Sequence, residues 1–113
     1  MRHSRETNGM ARNRALGAAT VAILKAAMDG HRFGLDIMEA TGLPSGTVYP
    51  TLARMEAREY VASEWENEDE AKAAGRPRRR YYRVTAEGAR ETNKALERLA
   101  ELAGAAPRVV AQS

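Results

Sequence analysis

The sequence predicts a mainly α fold with one small β-hairpin, an α+β order of three helices, a two-stranded ribbon and a further helix. Three observations predict it. A helical pattern breaks at Thr41-Gly42-Leu43-Pro44 and restarts in Ser45-Gly46-Thr47-Val48-Tyr49-Pro50-Thr51-Leu52. Two β-favouring runs, Tyr60 to Glu66 and Arg79 to Val84, flank a polar stretch punctuated by Gly75 and Pro77. Apolar positions at helical spacing then resume behind Thr85 and stop at Gly104 and Pro107.

Residues 1–12 read as a flexible basic tail. From about Asn13 to Asp29, Leu16, Ala19, Thr20, Ile23, Leu24 and Ala27 recur on one helical side, and Asp29-Gly30 ends that helix. Leu35 to Thr41 make a short second helix, with Leu35, Ile37 and Met38 available to the core. Gly42 suits its C-terminal cap, because glycine takes the left-handed conformation without steric cost. The third helix lies between Ser45 and Arg58, where Val48, Leu52 and Met55 form an inward stripe at i, i+4 and i+7. Its other half holds Gly46, Thr47, Pro50, Ala53, Arg54 and Ala57, small enough for close approach to another surface. Pro50 has no amide hydrogen and is tolerated in a first turn. Either Thr47 is the true N-cap, or the first turn is irregular.

The two strands are rich in aromatic and β-favouring side chains, and Asn67 to Pro77 between them reads as a long hairpin loop. Alternation sends Arg79, Tyr81 and Arg83 to one face of the ribbon and Arg80 and Tyr82 to the other. The arginines therefore cannot all meet one partner, and one tyrosine belongs to the core. Thr85 caps the last helix and Glu87 favours its first turn. Ala89, Leu96, Leu99, Leu102 and Ala103 line much of one side.

A chain of 113 residues bounds the answer to one domain, and so small a core would gain buried area from a dimer. Hydrophobic residues at 43% suffice for a globular fold. No apolar run approaches the roughly 18 residues of a membrane span, and the basic start lacks the apolar block of a signal peptide. A cytoplasmic protein is expected, in keeping with the lack of cysteine, which also removes disulfides, thiolate nucleophiles and cysteine-ligated zinc. The two histidines, His3 in the tail and His31 in a turn, have no acid–base–nucleophile set around them, and the acids from Glu64 to Glu70 lack the spacing of a calcium loop. No catalytic site, cofactor or metal is expected.

Charge is mild in sum, +3, but uneven in place. Residues 76–83 hold five arginines and no acid, and residues 64–70 hold five acids and no base. Such separation implies two different surfaces. A basic ribbon behind a small-residue helix suits a duplex gripped from two sides. The helix would read base edges near its N-terminus, making Thr47, Tyr49, Pro50 and Arg54 the candidates. Thr47 can meet a phosphate or a thymine methyl, and Arg54 a guanine or a phosphate. Tyr49 sits at the border of the buried stripe, where its ring either packs in the core or reaches DNA. Arg76, Arg78, Arg79 and Arg80 would take phosphates or a narrow minor groove. Neutralising about six phosphates gives a slope of log K against log salt of roughly −5. Trp65 reads as a core or interface aromatic, with a ligand pocket at a dimer seam as the sharper alternative. The competing function is protein docking through the acidic 64–70 segment, without DNA.

Phe33-Gly34-Leu35-Asp36-Ile37, Thr41-Gly42-Leu43, Gly46-Thr47-Val48-Tyr49-Pro50-Thr51-Leu52-Ala53-Arg54-Met55-Glu56, Ser63-Glu64-Trp65-Glu66 and Gly75-Arg76-Pro77-Arg78-Arg79-Arg80-Tyr81-Tyr82 stand in this order. Together they resemble the PadR family of bacterial winged-helix transcriptional regulators, over most of residues 16–100. The resemblance implies a winged helix-turn-helix over residues 13–84, with recognition helix 45–58 and a wing at roughly 66–79. It also implies a C-terminal dimerisation helix over 85–104, followed by a flexible tail over 105–113. The implied function is that of a homodimer on a palindromic operator, usually as a repressor. Leu16, Ile23, Leu96, Leu99, Leu102 and Ala103 would form a mixed core and dimer seam. Two departures stand out. Relatives commonly have glycine where this chain has Glu59, so a left-handed backbone there would cost about 1 kcal/mol or more. Phe33 stands where tyrosine is common. Some relatives bind aromatic or drug-like compounds between subunits. Only Trp65 hints at that here, against an aromatic content of 5%, so a small-molecule effector is left open.

Overall fold

The computed structural model describes residues 16–105, so the basic tail expected over 1–12 and, Ala105 apart, the tail expected over 105–113 lie outside the described residues. The elements run α1 (Ala18–Met28), α2 (Gly34–Thr41), α3 (Ser45–Ala57), β1 (Val61–Trp65), α4 (Glu68–Ala73), β2 (Arg80–Val84) and α5 (Ala86–Ala105). The order is the expected one with one addition, α4, inside the hairpin loop. Its cause is local. The Asn67 side chain accepts hydrogen bonds from the amides of Asp69, at 2.8 Å, and Glu70, at 3.2 Å, which caps the helix. Glu68, Asp69 and Glu70 occupy its first turn and Lys72 its last, both favourable to the helix dipole.

The core gathers Ile23 and Leu24 of α1, Ile37 of α2, Val48, Leu52 and Met55 of α3, then Tyr60, Val61 and Tyr82. Burying each large apolar side chain contributes about 1.5–3 kcal/mol. Leu35, expected in this core, is 62% exposed. The inward side of α2 runs through Gly34, Ile37, Met38 and Thr41, at i, i+3, i+4 and i+7, which leaves Leu35 outside. The α2–α3 turn is stitched by Thr41. Its hydroxyl donates to the Ile37 carbonyl at 2.7 Å and accepts from the Leu43 amide at 3.2 Å, while Gly42 takes φ 74°.

β1 and β2 pair antiparallel in the register Val61↔Val84, Ser63↔Tyr82 and Trp65↔Arg80. One face of the ribbon carries Val61, Ser63, Trp65, Arg80, Tyr82 and Val84, and the other carries Ala62, Glu64, Tyr81 and Arg83. Tyr82 is the tyrosine taken into the core, and burial pushes its phenol pKa up. Its amide donates to the Arg32 carbonyl at 2.8 Å, tying the ribbon to the α1–α2 turn.

The exit from α3 is left-handed. Glu59 has φ 65° and is the only non-glycine residue with positive φ among the described residues. Its amide donates to the Glu56 carbonyl at 3.0 Å and the Tyr60 amide to the Met55 carbonyl at 2.9 Å. The same pair of bonds closes α1 at Gly30 and α4 at Gly75, with glycine in the left-handed position. Glu59 thus holds a conformation that costs an L side chain about 1–2 kcal/mol. The Thr85 hydroxyl donates to the Glu59 carbonyl at 2.7 Å and accepts from the Gly88 amide at 3.0 Å, so one side chain caps α5 and pins it to this exit. Gly88 lies so near the Tyr60 carbonyl that any Cβ would collide with it. Among the described residues, no helix is long and apolar enough to cross a membrane.

Candidate nucleic-acid interface

α3 starts at Ser45 with Pro44 in the N-cap position, not at Thr47. The amides of Thr47 and Val48 both reach the Pro44 carbonyl at 3.0 Å, so the first turn is tightened, the second of the two expected alternatives. Pro50 lies beyond that turn, inside the helix. It denies the Gly46 carbonyl an amide partner, but both residues are at the surface, where the loss costs least.

The outer side of α3 exposes Gly46, Tyr49, Pro50, Ala53, Arg54 and Ala57, with Thr47 half-buried. Tyr49 does two things at once. Its phenol edge lies against Gly34, leaving no room for a Cβ there, and it is still 42% exposed. Arg54 donates to the Thr51 hydroxyl at 3.1 Å, which steadies its guanidinium at the surface.

The wing is built around a buried acid. Glu66 is 2% exposed. Arg76 approaches its carboxylate with both terminal nitrogens, Nη2 at 2.7 Å from Oε2, and the Arg79 amide donates to Oε1 at 3.2 Å. Arg78 Nε donates to the Glu66 carbonyl at 3.0 Å. The Arg76 hydrogen bonds hold the Glu66 carboxyl down at about 2, against the opposing pull of burial. The same pairing pushes the Arg76 guanidinium pKa further up. Arg76 is therefore committed first to shaping the wing.

The remaining arginines divide by face. Arg79 stacks on the Phe33 ring at 3.6 Å, and Phe33 in turn packs on Tyr81 with ring centroids 4.7 Å apart. That cluster lies against the α1–α2 turn. Arg80 lies on the other face, with Nε 3.0 Å from the Ser63 hydroxyl and Nη2 3.5 Å from Glu56 Oε2. Ser63 donates to the same Glu56 oxygen at 2.6 Å. This linkage joins the last turn of α3 to the ribbon, so helix and wing are held as one unit.

Residues 23–94 match the family described as Transcriptional regulator PadR-like family. The chain belongs to that family. Its fold matches solved structures of PadR family regulators and of a further DNA-binding protein. A PadR family transcription regulator from hypervirulent Clostridium difficile R20291 shows TM-score 0.68 at 24% identity, covering 78% of this chain and 93% of that one. A PadR family regulator from Eggerthella lenta DSM 2243 shows TM-score 0.64 at 22% identity over 92% and 91%. Bordetella bronchiseptica BpsR, whose DNA binding is regulated by 6-hydroxynicotinic acid, shows TM-score 0.66 at 19% identity. The chain covers 65% of BpsR, and 81% of this chain takes part. At these identities the likeness shows the fold, a winged helix. No curated protein matches the sequence. The PadR-like family is one of transcriptional regulators, not enzymes.

In this PadR-like chain the residues expected at a dimer seam separate into two groups. Ile23 is wholly enclosed in the chain's own core, and Leu16 is half-buried against it. Ile23 therefore belongs to the core half of the mixed assignment and offers no surface to a second chain. Leu96 is half-buried, while Leu99 at 42% and Leu102 at 62% stand exposed on α5 beside exposed Ala103. Trp65, expected in a core or interface, is 54% exposed at the far end of the ribbon. The face it shares with Val61 leaves the core as β1 runs past α3, so burial falls along the strand. The acidic run is broken up: Glu64 is exposed on the outer face, Glu66 is inside, and Glu68, Asp69 and Glu70 are on α4. Sequence reasoning missed Glu56, Ser63 and Glu66 as organising residues. The one available signal was an acid ten positions before Arg76, hidden among other acids.

Proposed function

We propose that this PadR-like regulator binds double-stranded DNA as a homodimer on a palindromic operator and represses transcription from it in the cytoplasm. One observation carries the reading: Glu56, Ser63 and Arg80 bind the recognition helix to the wing, so both present to one duplex in fixed relation. The exposed side of α3 enters the major groove, with Thr47, Tyr49, Pro50 and Arg54 at the base edges and flanking phosphates. Arg78 and Arg80 meet the backbone beside the groove. Arg79 adds charge from the outer face of the ribbon, and Arg76 acts through the shape of the wing. Leu99, Leu102 and Ala103, continued by Leu96 and Leu16, form the apolar seam with a second chain. Two recognition helices would then meet half-sites about 34 Å apart, one helical turn. The small-molecule effector that the sequence leaves open is no part of this proposal.

The protein-docking alternative is not favoured, because the acidic segment it needs is divided among three environments. The test is selection of bound duplexes from a random library by the full chain, followed by mobility shift across a salt series. The expected result is enrichment of an inverted repeat with half-sites one turn apart, and affinity that falls with log salt at a slope near −0.9 per neutralised phosphate. Enrichment of no sequence, with binding indifferent to salt, would refute it.

A further inference from the structure

Trp65 is the chain's one tryptophan, and it ends β1 with more than half of its surface in water. Nothing in the core requires a large aromatic there. What surrounds it is cationic. The Arg78 guanidinium carbon lies 5.6 Å from the ring centroid and that of Arg80 lies 5.1 Å from it, both within the range of cation–π attraction. Arg80 is also held from behind by Ser63 and Glu56, which fixes the indole relative to the last turn of α3. Of the nearby acids, Glu66 is engaged with Arg76, whereas Glu56 pairs with Arg80 from behind and offsets part of its charge; Arg78 donates to the Glu66 main-chain carbonyl and keeps its charge. The result is a flat apolar plate flanked by two guanidiniums and linked through Arg80 to Glu56 in the last turn of α3.

That chemistry fits the wall of a duplex groove, where apolar deoxyribose lies between anionic phosphates. Stacking on bases would need them unpaired, which an intact duplex does not offer. We infer that Trp65 is a DNA-contacting residue of the wing: its indole packs on deoxyribose while Arg78 and Arg80, within cation–π range of the indole, meet adjacent phosphates. The inference rests on the DNA-binding reading.

A single tryptophan makes the test direct. Tryptophan emission of the full chain is followed while the selected operator duplex, and then a mixed-sequence duplex of equal length, is added. Mobility shift of the same samples verifies binding. The expected result is a change in emission that saturates with binding, together with protection of the indole from iodide quenching. Trp65→Ala weakens binding to both duplexes about tenfold, equivalent to about 1.4 kcal/mol. Its salt slope stays within about one unit of wild type, because the arginines remain. Trp65→Phe retains a ring and loses about threefold or less on the same scale. Emission unmoved at saturation, or Trp65→Ala binding as tightly as wild type, overturns the inference while leaving DNA binding intact. Emission that moves with protein concentration and not with DNA overturns it too, since the plate then meets another chain. A wild-type protein that shifts no duplex sinks the DNA-binding reading itself.

Discussion

Replacing Glu59 by glycine will stabilise this fold. Glu59 has φ 65° and occupies the position that glycine fills at the ends of α1 and α4. Left-handed backbone costs an L residue about 1–2 kcal/mol, and glycine gives back about 0.5–1 kcal/mol through its greater freedom in the unfolded chain. The difference is a gain of about 0.5–1 kcal/mol. For a domain of this size, each kcal/mol moves the midpoint by about 4–8 °C, so Tm should rise by about 2–8 °C. The assay is thermal unfolding by circular dichroism at one fixed chain concentration, because the midpoint of the proposed dimer would depend on concentration. Glu59→Ala is the control: it keeps Cβ and removes the carboxylate. A rise for glycine alone identifies backbone strain. An equal rise for alanine shows that the charge was at fault, and an unchanged or lower Tm for Glu59→Gly refutes the strain argument.

The wing has an acid-labile core. Glu66 titrates at about 2 in the fold against an ordinary 4.5, so its pairing contributes stability that is complete above the ordinary value and lost as pH falls toward 2. Glu66→Gln should be less stable than wild type at neutral pH, and the gap should close across that window in urea denaturation at stepped pH. A gap independent of pH would remove the ion pair from the account. Arg54→Ala should weaken operator binding tenfold or more, on the order of 1–3 kcal/mol for a lost base contact, and relax preference at one base pair in a repeat of the duplex selection. Unchanged preference at every position would move Arg54 to a phosphate. Leu99→Asp should leave a folded monomer by sedimentation, since Leu99 is 42% exposed and outside the core. A dimer that persists in that variant excludes this face of α5 as the seam.

What the sequence revealed follows from which forces are local. Helix limits were readable within a few residues because Gly42, Thr85 and the Val48–Leu52–Met55 stripe act over one or two turns. The alternation of Arg80 and Tyr82 against Arg79 and Tyr81 was readable too, because it is a property of any strand. α4 was missed because six residues show no stripe, although Asn67 followed by three acids is a capping signal. Leu35 was misplaced because a helix of eight residues can turn either flank inward, and only Gly34 against Tyr49 decides which. Trp65 lies outside the core, one of the places the sequence allowed it, because burial along β1 depends on where α3 ends beside it, a fact of tertiary packing.

The arginine cluster shows the same limit in its sharpest form. Residues 76–83 offer five like charges to a reader of the sequence, and a polyanion is the natural inference. In the fold four of those charges have different duties. Arg76 closes on Glu66, Arg79 covers Phe33, Arg80 ties Glu56 and Ser63 to the ribbon, and Arg78 lies over Trp65. A guanidinium already paired with a carboxylate releases fewer counterions on meeting a phosphate than a solvated one, so composition overstates the electrostatic grip of this wing. What the pairing gives instead is a rigid wing with its cations in fixed places. Rigidity is what a second contact needs if it is to cooperate with a helix in the neighbouring groove, because a flexible finger would lose on ordering what it gained on binding. The buried acid and the partly neutralised arginines are thus the means by which a domain this small holds helix and wing in register.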